Sequence, residues 1–414
     1  MTLPTIAPAH QSQLEAYKAG LVQGSMIDVA ATGGVVTYSF LNTHSEWTVD
    51  GSPVKSWTEA EKVAVADALR QWGAVTNLTF MPAADDDTAA TLTFEWFADP
   101  IGEFIAVGGY PDMAFVGYPN LASAVALNAH YLRAENIAPG ELGFMVVLHE
   151  IGHALGLKHT SDDGGLGKPT FADLGLTAYD SAEYTLMSYE LPAVDGWTAA
   201  TPSMLDIVAI QSLYGARPNG PGDDTYRIED TATFRTIWDS GGTDTLDFSA
   251  QLGTARGLAI ELGEGQISVA LPPPNTPLSS SPVVGIAFGA QIENAIGTPY
   301  RDTLHGTDDD NRLDGGAAGD TLTGGAGDDV LTGGAGADRF VFAPGDGFDV
   351  ITDFAPAAGD LIELRGYGLS SFEALSINIS QVDDGVALDF GASNQIMLAG
   401  VAAADLDADD FAFG

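Results

Sequence analysis

"HEIGHALGLKH", running from His149 to His159, places three of the chain's seven histidines within eleven consecutive positions. His149 and His153 stand four apart in a helical stretch, which separates them by about 40° around the axis and one turn in height. Both imidazoles can therefore reach one ion. Glu150 lies beside them at about 100°, placed to meet a water on the metal rather than the metal itself. Gly156 lets the helix end in a left-handed turn, so the chain can fold back and supply His159 as a third ligand. Three nitrogens leave zinc's fourth position open, the arrangement of a catalytic site. The competing reading is a chance cluster of core histidines. This elongated motif arises by chance in about one chain in 100,000 of this composition, so the metal reading prevails. His10, His44, His130 and His305 have no partner spacing and read as surface or structural residues.

Working outward, residues up to about 215 read as mixed α and β. "VVTYSF" (Val35 to Phe40) is a β-branched and aromatic run that predicts a strand. In "SWTEAEKVAVADALRQWGAV", Thr58 and Glu61 form a capping box. Val63, Ala66, Leu69 and Gln71 or Trp72 then recur at helical spacing, predicting an amphipathic helix. "TLTFEW" (Thr91 to Trp96) alternates like a half-buried strand. "ELGFMVVLHEIGHALG" predicts a second, deeply buried helix. A third is expected at "TPSMLDIVAIQSLYG", with Thr201 as cap, Pro202 in the first turn and Gly215 as terminator.

Beyond about residue 220 Gly and Asp rise, and short pieces such as "RTIWD", "TLDFS" and "LAIEL" alternate with turns. "LPPPNTPLSSSP" (Leu271 to Pro282) reads as a surface loop inserted in this half. From residue 297 the chain divides into nines: GTPYRDTLH, GTDDDNRLD, GGAAGDTLT, GGAGDDVLT and GGAGADRFV. The last two match G-G-x-G-x-D-x-U-x in full. The eighth position is Leu304, Leu313, Leu322, Leu331 and Phe340; the sixth is Asp302, Asn311, Asp320, Asp329 and Asp338. The glycine-rich half turns through conformations that Gly adopts cheaply. The other half is a short strand whose inward apolar side chain stacks on its neighbours. Carboxylates and turn carbonyls then line the edge and need neutralising, which calcium does with oxygen ligands. A flexible Gly/Asp linker has no reason to keep an apolar residue at every ninth position.

Composition agrees with a cation-binding chain. Fifteen Lys+Arg against 57 Asp+Glu give a formal net charge of −42, which argues against nucleic acid and anionic membranes as partners. With no cysteine, disulfides and thiolate metal sites are excluded. No apolar run reaches the roughly 18 residues needed to cross a bilayer, so membrane insertion is not expected. "MTLPTIAPAHQSQ" lacks the features of a secretory signal, so any export signal is expected elsewhere.

The zinc motif resembles that of the metzincin metalloproteases, and "YTLMSY" downstream resembles their Met-turn in the form typical of the serralysin family of secreted bacterial proteases. Serralysins also carry glycine-rich nonapeptide repeats of the repeats-in-toxin type behind the protease domain, in this order. The resemblance extends from about Leu14 to the C-terminus. It implies an α+β metzincin zinc-protease domain at 14–220, after an N-terminal tail or vestigial propeptide at 1–13. It further implies an all-β parallel β-roll binding calcium at 221–414, with repeats at 297–341. Carried over, one catalytic Zn2+ is held by His149, His153 and His159. Glu150 is the general base, Met187 the hydrophobic floor, and Tyr189 both an additional, displaceable zinc ligand and a catalytic group.

Several structural Ca2+ ions are implied as well. "WDSGGTD" resembles the family's calcium loop before the repeats and enlists Asp239, Gly241, Gly242 and Asp244, with Glu293 from "QIENAIG" and Asp223 and Asp224 from "GPGDDTY". Within the repeats the ligand positions are Asp302, Gly306, Gly315, Asp320, Gly324, Gly325, Gly327 and Asp329. Gly333, Gly334, Gly336 and Asp338 continue the series, and Asp346 and Asp349 close the roll. Three features depart from the pattern. Thr160 replaces the usual Pro, Ala318 stands where Gly is expected, and Asn311 takes an Asp position, so the second and third turns are expected to bind calcium more weakly.

The ending "DDFAFG" resembles the uncleaved signal read by type I exporters. Together these resemblances imply a secreted, monomeric zinc endopeptidase of broad specificity. Its implied partners are extended polypeptides, a protein inhibitor and the type I secretion machinery. A calcium-dependent surface or adhesive protein with an inactive zinc domain is the alternative. That reading leaves an intact Glu150 beside three ligands unexplained.

Overall fold

The computed structural model describes residues 11–42, 55–98, 105–111, 123–192, 196–218, 222–230, 232–250, 256–272, 280–391 and 394–414. His10, His44 and most of the Pro-rich loop, at 273–279, lie outside them. Contacts divide the chain into two compact units, one of residues 3–218 with 232–238, the other of 219–231 with 239–414.

Among its described residues the first unit holds four α-helices, α1 (Gln11–Leu21), α2 (Glu59–Val75), α3 (Leu142–Ala154) and α4 (Met204–Tyr214). Its sheet is built from β1 (Val35–Leu41), β2 (Thr79–Pro82), β3 (Leu92–Phe97), β4 (Ala106–Gly108) and β5 (Ala124–Asn128) in the order β2-β1-β3-β5-β4. All neighbours are parallel except β4, which runs antiparallel at one edge. The α2 capping box forms as its sequence predicts. Its buried face, however, is Ala64, Val65, Ala68, Leu69, Trp72 and Val75, and Val63 is exposed. In "VAVADA" small apolar residues occupy both faces, so periodicity cannot choose between them. α4 caps on Ser203, with Asp206 completing the box, rather than on Thr201; the Thr201 hydroxyl instead accepts the Thr236 N–H at 2.7 Å. Gly215 ends α4 with φ +79°. Residues 11–13, expected in the tail, belong to α1, which docks on α4 and buries Tyr17 and Leu21 completely. The polar start of α1 carries no periodic signal; tertiary burial makes it a helix.

The second unit is a parallel β-roll. One sheet stacks Phe411–Phe413, Leu361–Leu364, Arg339–Phe342, Thr321–Thr323, Thr303–His305 and Leu258–Glu261 in parallel, followed by antiparallel Ile267–Ala270 and Ser281–Ile286. Ser281 and Pro282, assigned to the loop from sequence, thus begin a strand. The facing sheet places Val330–Thr332 between Arg312–Asp314 and Phe348–Ile351. Successive nonapeptides alternate between sheets, so the pairing period is two repeats. Leu304, Leu322, Phe340 and Ile362 align in one ladder, Leu313, Leu331 and Ile351 in the other, all fully buried. Burying each such side chain stabilises the roll by about 1.5–3 kcal/mol.

Ala318 occupies its glycine position with φ +75°, a conformation costing an L-residue about 1–2 kcal/mol. Ala318→Gly is expected to raise the unfolding free energy of the calcium-loaded roll by roughly 0.5–1 kcal/mol, after the added freedom of the unfolded chain is deducted. A urea titration followed by circular dichroism reads this; an unchanged or lower midpoint contradicts it.

Candidate metal centre

α3 presents His149, Glu150 and His153, the last two buried. The helix ends at Gly156, φ +107°, where any Cβ would collide with the Ser25 carbonyl at 2.4 Å. The Leu157 N–H then donates to Gly152 O at 2.9 Å and the Lys158 N–H to Leu21 O at 2.7 Å, bringing His159 back over the helix. The three Nε2 atoms lie 3.0 Å (His149–His153), 2.9 Å (His153–His159) and 3.1 Å (His149–His159) apart. Each Nδ1 meets an oxygen acceptor: Leu186 O at 2.6 Å, Leu157 O at 2.7 Å and Asp162 Oδ2 at 2.6 Å for His149, His153 and His159 respectively. Those acceptors place the ring protons on Nδ1. Three Nε2 lone pairs thus converge; the Tyr189 hydroxyl can donate to that of His159, and a cation between them would satisfy all three. A tris-imidazole donor set with oriented outer partners suits zinc.

Burial pushes the His149 imidazole down to about 4, and His153 well below its ordinary value, so both are neutral and able to ligate at neutral pH. Among the described residues, the metal-competent group here consists of these three histidines without Glu150. Burial raises the Glu150 carboxyl to about 8, opposed by the Gly108 N–H it accepts. A Cβ at Gly108 would meet Glu150 O at 2.4 Å, so β4 approaches α3 this closely only because that residue is glycine.

Tyr189 projects beside the cluster, 68% exposed, with its hydroxyl 2.8 Å from His159 Nε2. Met187 is fully buried, and its Cε lies 2.9 Å from where a Cβ at Gly152 would stand. Sequence reasoning missed the groups that hold this turn. Asp206 of α4 accepts the Thr185 hydroxyl at 2.5 Å, the Leu186 N–H at 2.7 Å and the Ser203 N–H at 3.0 Å. Since Leu186 O in turn accepts the His149 Nδ1–H, Asp206 orients a cluster histidine through one residue of the turn. Thr160, in the unusual position, donates to Asp180 Oδ1 at 2.6 Å, as does the Ser188 hydroxyl at 2.6 Å. The only sequence signals were local: Asp206 three residues after Ser203, and Asp162 three after His159.

Asp206→Ala leaves three buried donors without their acceptor. An expected loss of about 2–5 kcal/mol in stability, with weakened zinc retention, follows. Urea unfolding of the zinc-loaded variant measures it; a loss below 1 kcal/mol on the order-of-magnitude scale of a single net hydrogen bond would contradict the role.

"TLTFEW", whose alternation reads as a half-buried strand, is β3, and it is paired on both sides, with β1 and β5. The edge beside the cluster is β4, because alternation reports burial and not lateral partners.

In the roll unit, Asp224, Asp239 and Asp244 form a second metal-competent group. Glu293 accepts the Asp244 N–H at 2.7 Å, the Gly241 N–H reaches Asp239 at 3.2 Å, and Gly242 has φ +135°. Asp223 lies outside that group and accepts the Thr243 N–H at 2.9 Å. The Oδ2 atoms of Asp244, Asp320 and Asp329 are buried with no hydrogen-bond partner. Buried carboxylate oxygens left alone, beside close-packed turn carbonyls, suit calcium. Asp338 and Asp349 repeat the inter-coil bond through Oδ1, accepting Asp320 N–H at 2.8 Å and Asp329 N–H at 3.1 Å, whereas Asp346 Oδ2 accepts Ala343 N–H at 2.6 Å. Among the remaining histidines, His305 pairs with Glu261 at 2.8 Å and His130 packs on Tyr131.

A family model described as matrixin, peptidase M10, matches residues 37–181, and one described as peptidase M10 serralysin C terminal matches residues 205–397. Serralysin of Proteus mirabilis is 34% identical over 309 residues, covering 67% of this chain and 60% of that protein. Serralysin B of Dickeya chrysanthemi is 36% identical over 291 residues, 65% of this chain and 58% of the relative. Serralysin of Photorhabdus laumondii is 32% identical over 338 residues, 74% and 65% respectively. The chain thus spans 58–65% of the length of these curated relatives.

Proposed function

Because the chain belongs to the M10 metallopeptidases, with a matrixin-type domain followed by a serralysin C-terminal domain, we propose that it is a secreted zinc endopeptidase of broad specificity. The observation that carries this reading is the triangle of bare Nε2 atoms beside the buried Glu150 carboxylate. His149, His153 and His159 would hold the ion, with Tyr189 as an additional, displaceable ligand, and zinc bound there would supply Lewis acidity towards a carbonyl and water.

Glu150 takes the proton of the attacking water and passes it to the leaving amine. Its burial, and the raised proton affinity that burial causes, suit a base that must hold that proton between the two steps. The Tyr189 hydroxyl donates a hydrogen bond to the carbonyl oxygen as charge develops there. Met187 supports the cluster from below. Ile105 O and the Gly109 N–H engage β5, so by antiparallel alternation Ala106 and Gly108 turn their backbone groups away from it. An extended polypeptide pairs with this edge through the backbone groups that the Gly108–Glu150 bond leaves open, and such bonds read few side chains and give broad specificity. A protein inhibitor would use the same edge.

Calcium folds the roll, and the Phe411–Phe413 ending serves type I export. In the folded roll these residues form a strand on Leu361–Leu364, with Phe411 stacked on Phe372. The exporter therefore reads the ending before that strand docks. Among the described residues no helix is long and apolar enough to cross a membrane. The deciding experiment is hydrolysis of casein or gelatin by the calcium-loaded protein. It is expected to stop with a zinc chelator and return with added zinc. Calcium-dependent adhesion without any hydrolysis would select the inactive surface-protein reading instead.

A further inference from the structure

The five nonapeptide turns are not closed in the same way, and the second residue of each repeat makes the difference. It is Thr298 and Thr307 in the first two turns and Gly316, Gly325 and Gly334 in the next three. These glycines have φ of +95°, +111° and +90°, which points their peptides out of the turn. The Gly316 N–H, for example, donates to Asp314 Oδ1 at 3.1 Å, and Asp320 Oδ2 in the same turn is left buried and unpartnered. Asp329 Oδ2 is left in the same state in the Gly325 turn.

Threonine at that position turns its donors inward. The Thr298 N–H gives Asp302 Oδ2 a bond of 2.6 Å, and its hydroxyl lies 3.0 and 2.8 Å from the two carboxylate oxygens. The Leu258 N–H adds a bond of 2.6 Å to Asp302 Oδ1. Both oxygens of Asp302 are thus satisfied by the protein. In the next turn the Thr307 N–H donates to Asn311 Oδ1 at 2.6 Å, with the hydroxyl at 3.2 Å. Asn311 carries no charge, and its Nδ2 donates to the Glu293 carbonyl at 2.9 Å, which puts a donor against an oxygen that a cation would otherwise seek.

We propose that the turns Gly297–Asp302 and Gly306–Asn311 are closed by their threonines in place of calcium, so that Asp302 and Asn311 ligate no ion and cation binding in the repeats begins at Asp320 and Asp329. The inference rests on the reading that the roll binds calcium. It separates two turns that look equally degenerate in sequence: the Ala318 turn keeps its open carboxylate, and the Asn311 turn does not.

Anomalous diffraction from crystals of the wild-type chain grown with calcium and soaked with terbium locates the ions directly. Peaks are expected within ligating distance of the Asp320 and Asp329 carboxylates and not of the Asp302 or Asn311 side chains. A peak on either of the latter overturns the proposal. No peak anywhere in the roll refutes the calcium reading itself, and the proposal with it. In solution, Thr307→Gly combined with Asn311→Asp recreates an open turn. Calcium bound per chain, measured by equilibrium dialysis, is expected to rise by one ion over wild type, and Asp320→Asn to lower it. A folded double variant with an unchanged count counts against the proposal.

Discussion

Glu150→Ala is expected to lower kcat/KM for peptide hydrolysis by about 10²–10⁴-fold, the usual contribution of a positioned general base, and to leave the zinc content unchanged. The expectation follows from the separation of roles in α3. The ion-holding group is made of His149, His153 and His159, each fixed through Nδ1, and Glu150 stands outside it. Removing the carboxylate takes away the proton acceptor and leaves three intact donors. His153→Ala should behave differently. It removes one of three nitrogens and the bond to Leu157 O, so zinc and activity are lost together. Metal analysis of each purified variant beside a peptide-cleavage assay distinguishes them. A Glu150→Ala enzyme with the full rate would refute the assignment, and one that has lost its zinc would make Glu150 a structural residue.

Removing calcium at pH 8 is expected to expand the roll. Each ion at 100 times its Kd adds about 2.7 kcal/mol, so one ion at each of the open carboxylates of Asp244, Asp320 and Asp329 would supply roughly 8 kcal/mol, comparable to the whole stability of a typical domain. The buried carboxylates also give the calcium-free roll a definite pH dependence. Burial raises Asp320 to about 8 and Asp329 and Asp349 to about 7, against about 3.9 in an unfolded chain. The folded state therefore binds more protons than the unfolded state between about pH 4 and pH 8. Stability is highest below the unfolded value and falls as pH rises through the folded ones. Without calcium the roll should regain strand structure on acidification from pH 8 to 5, and millimolar calcium should remove most of that dependence. Circular dichroism and small-angle scattering across pH, with and without the ion, follow both effects. Identical radii at pH 8 in the two conditions would end this account.

Much of the site was legible because its chemistry is local in sequence. His149 and His153 share a helix face, and Gly156 forecasts the reversal that returns His159. The nine-residue period of Leu304 through Phe340 likewise forecasts a stacked core, since each coil repeats the same burial. Thr58 with Glu61 announced the start of α2 from four residues alone. Where the sequence misled, the missing information was lateral. The alternation in "TLTFEW" is the same for an edge strand and a central one, and the small residues of α2 suit either face.

Residue types at short, regular spacing determined which atoms are available here: two imidazoles and a carboxylate on one helical turn with a third imidazole six residues on, and an aspartate or asparagine with an apolar partner every ninth residue. Only tertiary structure decided how those atoms are spent. Asp206, more than fifty positions after His149, reaches it through Leu186, and Thr298 and Thr307 turn their donors onto side chains that repeats of glycine leave bare. The physical reason is that spacing along a chain specifies direction over a turn or a strand. Which donor satisfies a buried oxygen depends on everything packed around it.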